Sequence, residues 1–176
     1  MLVVVTGQIA SGKATVARAV ARELQRDGTN AAVVDLDVIY EILDPARDRK
    51  VNQAKWTHAR RLAAQMAGAL LAEGVHVVVE GEFLTSDQRA EFTNALRPVT
   101  PVRFVTLRVP FEVALERANA DPSRGLSRDP TFLASHYEST AEAIRSIPSS
   151  DLTLETSAIG VEEAARRVVG WLSQAR

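Results

Sequence analysis

The sequence predicts an α/β protein built on a parallel sheet with helices over both faces, and three observations lead there. Short apolar runs, rich in β-branched residues, occur at Leu2–Val5, Ala31–Asp35, Val75–Val79, Val102–Val109 and Leu152–Glu155. Between them lie stretches whose apolar residues recur one helical turn apart. Strands joined through helices run parallel with right-handed crossovers, which leaves the helices on the sheet faces. Gly7 to Gly12 forms a glycine-rich turn directly after the first run, and Asp35, Asp37, Glu80 and Glu82 cluster at the ends of the second and third. Ligands of such sheets bind beyond the carboxyl ends of the strands, so four distant stretches are expected to converge on one cleft.

The first element carries the most chemistry. Residues Gly7, Gln8, Ile9, Ala10, Ser11, Gly12 and Lys13 follow a buried strand, and Val16, Val20 and Leu24 then mark one face of a helix. Strand, glycine loop, Gly-Lys and helix make a phosphate-binding loop. Glycines let backbone N–H groups converge on phosphate oxygens, the helix N-terminus adds positive potential, and Lys13 brings a full charge to the β- and γ-phosphates. The nucleotide site is therefore expected over Gly7 to Thr15. One position departs from the pattern: Ala14 stands where a Ser or Thr hydroxyl normally ligates Mg²⁺. Thr15 does not simply replace it, because successive helical side chains point about 100° apart. Water and a carboxylate completing the metal shell, weak turnover, or a substitution carried by this chain are the alternatives this leaves.

Further along, a short helix is expected from Val38 to Leu43 and a basic link from Pro45 to Lys50. A long helix over Val51–Glu73 would place Ala59, Leu62, Ala63, Met66 and Leu70 on one face. Thr85 with Gln88 forms a capping box for a helix ending before Pro98, and Pro110 opens the next at a favoured first-turn position. A polar stretch from Asn119 to Asp129 holds Arg124, Gly125 and Arg128. Asp129-Pro130 starts a helix reaching Ile147, and the closing helix carries Val161, Ala164, Ala165, Val168, Val169 and Leu172 at helical spacing.

Asp35 and Asp37 flank Leu36, so one could hold Mg²⁺ through water while the other accepts the proton of an attacking hydroxyl. The alternative is that either caps the helix beginning at Val38. Glu80 and Glu82 follow a strand aimed at the phosphates and could orient water around the metal, or simply be solvated. Arg117, Arg124 and Arg128 suggest a mobile lid that neutralises a transferring phosphoryl group and excludes water. The three histidines share no metal spacing; His76 reads as structural, Trp56 either lines the substrate side or packs, and Trp171 belongs to the core or its edge.

Composition sets bounds. The 176 residues carry a formal net charge of −1 and 46% hydrophobic residues, as expected of one soluble domain spanning 1–176. There is no basic footprint for nucleic acid and no membrane patch. The absence of cysteine removes disulfides, thiol catalysis and thiolate metal sites. No apolar run approaches membrane-spanning length, and a core strand at Leu2 leaves no room for a leader, so a cytoplasmic location is the expectation.

Taken together, Gly7 to Thr15, the Asp-x-Asp at Asp35 and Asp37, and Arg117 with Arg124 resemble the small P-loop kinases of the shikimate, gluconate and adenylylsulfate kinase group, which includes chloramphenicol phosphotransferase. The resemblance implies a P-loop NTPase fold with five parallel strands in the order 2-3-1-4-5. It also implies a substrate-side region over about residues 38–73 and a lid over about 119–130. The implied cofactors are ATP and Mg²⁺: Asp35 helps hold the metal through water, Asp37 contacts the acceptor hydroxyl, and Arg117 and Arg124 hold ATP. Arg60 is placed where shikimate kinases bind their acidic substrate. Departures are equally informative. Gly81 lies between two glutamates where shikimate kinases have three glycines, and Tyr137-Glu138 is preceded by Leu133-Ala134-Ser135-His136, without the substrate-binding arginine.

The expected activity is ATP-dependent phosphoryl transfer to a hydroxyl of a small molecule, a metabolite or antibiotic-like compound, by a monomer or homodimer. Lys13, Asp37, Arg124 and Arg128 would be the catalytic set, and Asp37, Arg60 and Glu82 would meet the acceptor. Two acidic residues on that side suit a neutral or cationic acceptor better than an anionic one. A nucleoside or nucleotide kinase using Arg47, Arg49, Arg60 or Arg61 is one alternative. A nucleotide-binding sensor or weak kinase, suggested by Ala14, is another. No Asn-Lys-x-Asp guanine signature follows the fourth strand, which argues against a regulatory GTPase.

Overall fold

A computed structural model describes residues 1–26, 28–45, 52–122 and 124–174. Five parallel strands form one sheet in the order β2-β3-β1-β4-β5: β1 (Leu2–Gly7), β2 (Ala31–Asp35), β3 (His76–Glu80), β4 (Val102–Arg108) and β5 (Leu152–Glu155). Among the described residues seven α-helices connect and cover them: α1 (Lys13–Arg26), α2 (Leu36–Leu43), α3 (Gln53–Ala72), α4 (Ser86–Thr93), α5 (Phe111–Ala120), α6 (Pro130–Arg145) and α7 (Val161–Ser173).

The central strand shows why the sheet needs two layers. All six residues of β1 are buried, and alternate side chains of a strand point to opposite faces. Val3 and Val5 pack with Val16, Val20 and Leu24 of α1 and with Ala165 and Val168 of α7. Leu2 and Val4 face the other way, into a core formed by α3, Phe83, Phe92 and Leu96. Register then brings the strand ends together: Val5 is level with Glu80 on β3, and Glu80 with Asp35 on β2.

Several boundaries moved from the sequence reading. Helix α2 begins at Leu36, because Asp35 is its N-cap and accepts from the amides of Asp37 and Val38. Helix α3 begins at Gln53, capped by Asn52; Val51 and the basic residues Arg47, Arg49 and Lys50 lie outside the described residues. The Thr85–Gln88 capping box is present, but α4 ends at Thr93. Helix α6 stops at Arg145, and β3 begins at His76.

The buried face of α3 is corrected in part: Ala59 and Ala63 are buried as expected and Leu70 packs against the core, but two of the expected residues turn outward. Leu62 and Met66 are 40% and 52% exposed, whereas Ala59, Arg60, Ala63, Ala64, Ala67 and Gly68 are buried. Small side chains bring this helix close to its neighbours: a Cβ at Gly68 would stand 2.0 Å from the carbonyl oxygen of Arg97. Trp171 is half-buried at the edge of the α1–α7 core, with the Arg103 guanidinium 3.7 Å above its ring.

Candidate active site

The cleft above the strand ends begins with the turn after β1. Gly7 and Gly12 have φ of 154° and 91°, and Ala10 has φ 61°. At Gly7 the constraint is also steric, since a Cβ there would lie 2.4 Å from Leu107 O. The turn carries the chain from the sheet into α1, leaving its amides at the helix N-terminus, as phosphate binding requires. Lys13 donates from Nζ to Gln8 O at 3.1 Å, folding its ammonium back over the loop.

Two later segments brace this loop. Thr156, after β5, donates from Oγ1 to Ser11 O (2.9 Å), and Arg117 on α5 donates to both Thr156 Oγ1 (3.1 Å) and Thr156 O (2.7 Å). Helix α6 grips the opposite end. Tyr137 donates from Oη to Ile9 O (3.0 Å), Gln8 donates from Nε2 to Thr140 Oγ1 (2.8 Å), and the Ile9 amide donates to His136 Nε2 (3.3 Å).

The acidic tips of β2 and β3 lie across from Lys13. Thr6 Oγ1 accepts from the Phe83 amide at 2.8 Å, which clamps the segment after β3 to the end of β1. Gly81 is needed there: a Cβ would stand 2.6 Å from Leu36 Cβ. Glu80 is 3% exposed. Burial, the Asp35 charge and a hydrogen bond to the Asp35 side chain push its carboxyl up to about 8, with Lys13 pulling the other way. Asp37 sits on the open cleft wall, exposed to solvent yet crowded by protein. That crowding raises its proton affinity, Lys13 opposes the rise, and the neighbouring carboxylates add to it.

One cleft of about 750 Å³ is lined by Lys13, Asp37, Glu80, Glu82, Arg124 and His136; Asp35 is not among its lining residues. Its far wall holds Tyr40 of α2 and Trp56 of α3, stacked with ring centroids 4.0 Å apart and planes 26° from parallel. Trp56 thus lines the cleft and packs at once.

A family model described as an AAA domain matches residues 2–132. The chain belongs to that family. No curated protein matches this AAA-domain chain. Among solved structures it resembles an unliganded sugar kinase from Janibacter sp. HTCC2649, at 22% identity and TM-score 0.71, with 98% of this chain and 94% of that one covered. The APS kinase of Mycobacterium tuberculosis, solved with AMPPNP and APS, aligns at 22% identity and TM-score 0.70, covering 98% and 97%. A gluconokinase from Sinorhizobium meliloti 1021 aligns at 19% identity and TM-score 0.68, covering 98% and 91%. The AAA-domain chain therefore has the fold of the small P-loop kinases: a five-stranded parallel sheet in the order 2-3-1-4-5 with helices on both sides.

The arginines of this AAA-domain chain are placed differently from one another. Arg124 lines the cleft, and its Nε lies 3.3 Å from Asp121 Oδ2. Arg128 ends a 3₁₀ turn (Leu126–Arg128), is exposed, and does not line the cleft. Arg117 lies behind the loop, with Nη1 3.9 Å from where a Gly12 Cβ would stand. Arg60 is 3% exposed and already occupied: Nη1 donates to Glu91 at 2.8 Å and Nε to Glu82 O at 3.2 Å. A buried guanidinium so matched holds α3 to α4 and to the segment after β3.

Among the described residues no group of three His, Asp or Glu side chains is arranged to ligate a metal directly. The donor chemistry nevertheless fits Mg²⁺ held mainly through water. Asp35, Asp37 and Glu80 are oxygen donors set close together; burial first and the neighbouring carboxylates second raise the proton affinity of Asp37 and Glu80, and a divalent cation would relieve that crowding of acidic groups. Ala14 lines the cleft without supplying an oxygen, and Thr15 is exposed beside it. His136, Tyr137, Thr156 and Tyr40 were not singled out as site residues by sequence. Only His136-Tyr137, just after the lid and at a point of departure from shikimate kinases, carried any signal.

No helix among the described residues is long and apolar enough to cross a membrane.

Proposed function

We propose that this protein is an ATP- and Mg²⁺-dependent phosphotransferase acting on a hydroxyl of a small molecule, working as a single domain over residues 1–176. The observation that carries the reading is the shared cleft: Lys13 and the loop amides face Asp37 across a space that continues to the Tyr40–Trp56 pair. The amides of Gly7 to Thr15 and Lys13 hold the β- and γ-phosphates, with Arg117 supporting the loop from behind. Asp35 would hold Mg²⁺ through water, and the ion would supply charge neutralisation on the phosphates. The acceptor oxygen attacks the γ-phosphorus, the bond to the β–γ bridging oxygen breaks, and ADP departs. Asp37, whose surroundings raise its basicity, takes the hydroxyl proton. Arg124 meets the transferring group from the lid side, and Arg128 closes over it only if the lid moves.

On the acceptor side, Asp37 and Glu82 favour a neutral or cationic alcohol, and the stacked aromatics offer a flat face to a ring. Arg60 serves that wall as structure, given its bonds to Glu91 and Glu82. The engagement of Arg60 also weighs against a nucleotide kinase. A nucleotide-binding protein of low turnover is the second reading, favoured by Ala14.

The test is calorimetric titration of ATP into wild type and Lys13→Ala, followed by an ATP-consumption screen over neutral, cationic and carboxylate alcohols and nucleoside monophosphates. The expected result is binding that weakens roughly 10- to 100-fold in the variant, and turnover with neutral or cationic alcohols. No ATP binding overturns the reading, and turnover restricted to nucleoside monophosphates replaces it with the nucleotide-kinase alternative.

A further inference from the structure

His136 stands where the two halves of the cleft meet. Its Nε2 accepts from the Ile9 amide at 3.3 Å and lies 3.6 Å from Glu82 Oε2. An imidazole nitrogen that accepts an N–H is unprotonated, so the proton of the neutral ring sits on Nδ1. The Tyr137 ring packs edge-on to the imidazole, 6.1 Å between centroids. The charged groups nearest it are Lys13 on α1 and Glu82 after β3; the same cleft is lined by Asp37 and Glu41 on α2, Glu80 at the end of β3, Arg124 before the 3₁₀ turn, and Arg60 on α3, which is matched by Glu91. Burial and the Lys13 ammonium hold the ring below the ordinary histidine range, while Glu82 pulls it upward.

The Ile9 amide belongs to the loop that would wrap the phosphates. A phosphate oxygen taking that amide leaves the Nε2 lone pair facing two anions, the phosphate and the Glu82 carboxylate. Two acceptors opposite a third are repulsive, and a proton on Nε2 turns the ring into a donor between them. The same phosphate cancels the Lys13 charge that opposed protonation. We propose that His136 is a positioning residue that yields the Ile9 amide to the nucleotide and takes up a proton on Nε2 as it does so, bridging the phosphates to Glu82 on the acceptor side. This rests on the nucleotide-site reading above. The proton comes from solvent and returns to it when nucleotide leaves.

The test is calorimetric titration of ATPγS, without metal, at pH 7.5 in two buffers of different ionisation enthalpy. Wild type is expected to take up a substantial fraction of one proton per nucleotide beyond the uptake of His136→Gln. That variant keeps an acceptor for the Ile9 amide but cannot titrate. Equal proton uptake in wild type and His136→Gln overturns the proposal. So does wild-type binding with no change in the ¹⁵N shifts of His136, read in the intact protein against His58 and His76. Should His136→Gln not fold, the wild-type ¹⁵N spectrum decides: conversion of Nε2 to the protonated form on ATPγS addition supports the proposal. Absence of any binding heat in wild type overturns the nucleotide-site reading itself, which is a distinguishable result.

Discussion

Glu80→Gln offers a direct measure of what the acidic strand ends cost the fold. Glu80 is almost wholly buried beside Asp35, and its carboxyl is pushed from the ordinary 4.5 to about 8. The folded protein thus holds a proton that the unfolded chain releases near 4.5. The sign follows: between those values the native state binds more protons, so stability is greatest at low pH and falls as pH rises toward 8. At about 1.4 kcal/mol per pH unit, the gap corresponds to on the order of 5 kcal/mol, most of it lost by neutral pH and the last of it near pH 8. Glutamine keeps the shape and can still donate to Asp35, but it does not ionise. Urea unfolding of both proteins at pH 5, 6, 7 and 8 should show wild type losing stability steadily while Glu80→Gln stays nearly flat. The variant should be the more stable of the two at pH 8. Parallel pH profiles would refute the buried-proton account.

Two further predictions concern the loop and a helix contact. Ala14→Ser places a hydroxyl in the first turn of α1, and Mg²⁺-ATP should bind at least about tenfold more tightly, read by titrating Mg²⁺ at fixed ATP. An unchanged Mg²⁺ dependence would mean that position 14 does not face the metal. Gly68→Ala should gain about 1 kcal/mol of helix propensity but lose about 3 to the collision with the Arg97 carbonyl. Denaturant unfolding should therefore show a net loss of about 2 kcal/mol, and a stabilised variant would contradict the close α3 packing.

The parts of this molecule that obey local rules were legible before any coordinates. Strand identity follows from short β-branched runs, and the Thr85–Gln88 capping box and the loop around Gly7 and Gly12 are written in adjacent residues. Leu62 and Met66 misled because large apolar residues dominate a periodicity count, while the true packing face of α3 is made of alanines and a glycine. Arg60 is buried against an ion-pair partner 31 residues away, which spacing cannot reveal. The role of His136 was hidden for the same reason, although its place just after the lid carried a faint signal: its bond to the Ile9 amide spans 127 positions and depends on how α6 returns to the loop. Asp35 sits between these cases, since its capping role was a local alternative and its pairing with Glu80 is a matter of register.

The hydrogen bond from Thr156 to Ser11 ties together residues 145 positions apart. During synthesis the glycine turn therefore emerges well before Thr156, and the bond that secures it waits for the intervening stretch. The family match ends at residue 132, so both Thr156 and most of the helix that carries His136 fall beyond it. A fragment cut at that boundary would keep every residue of the loop and lose the two struts that hold it in shape.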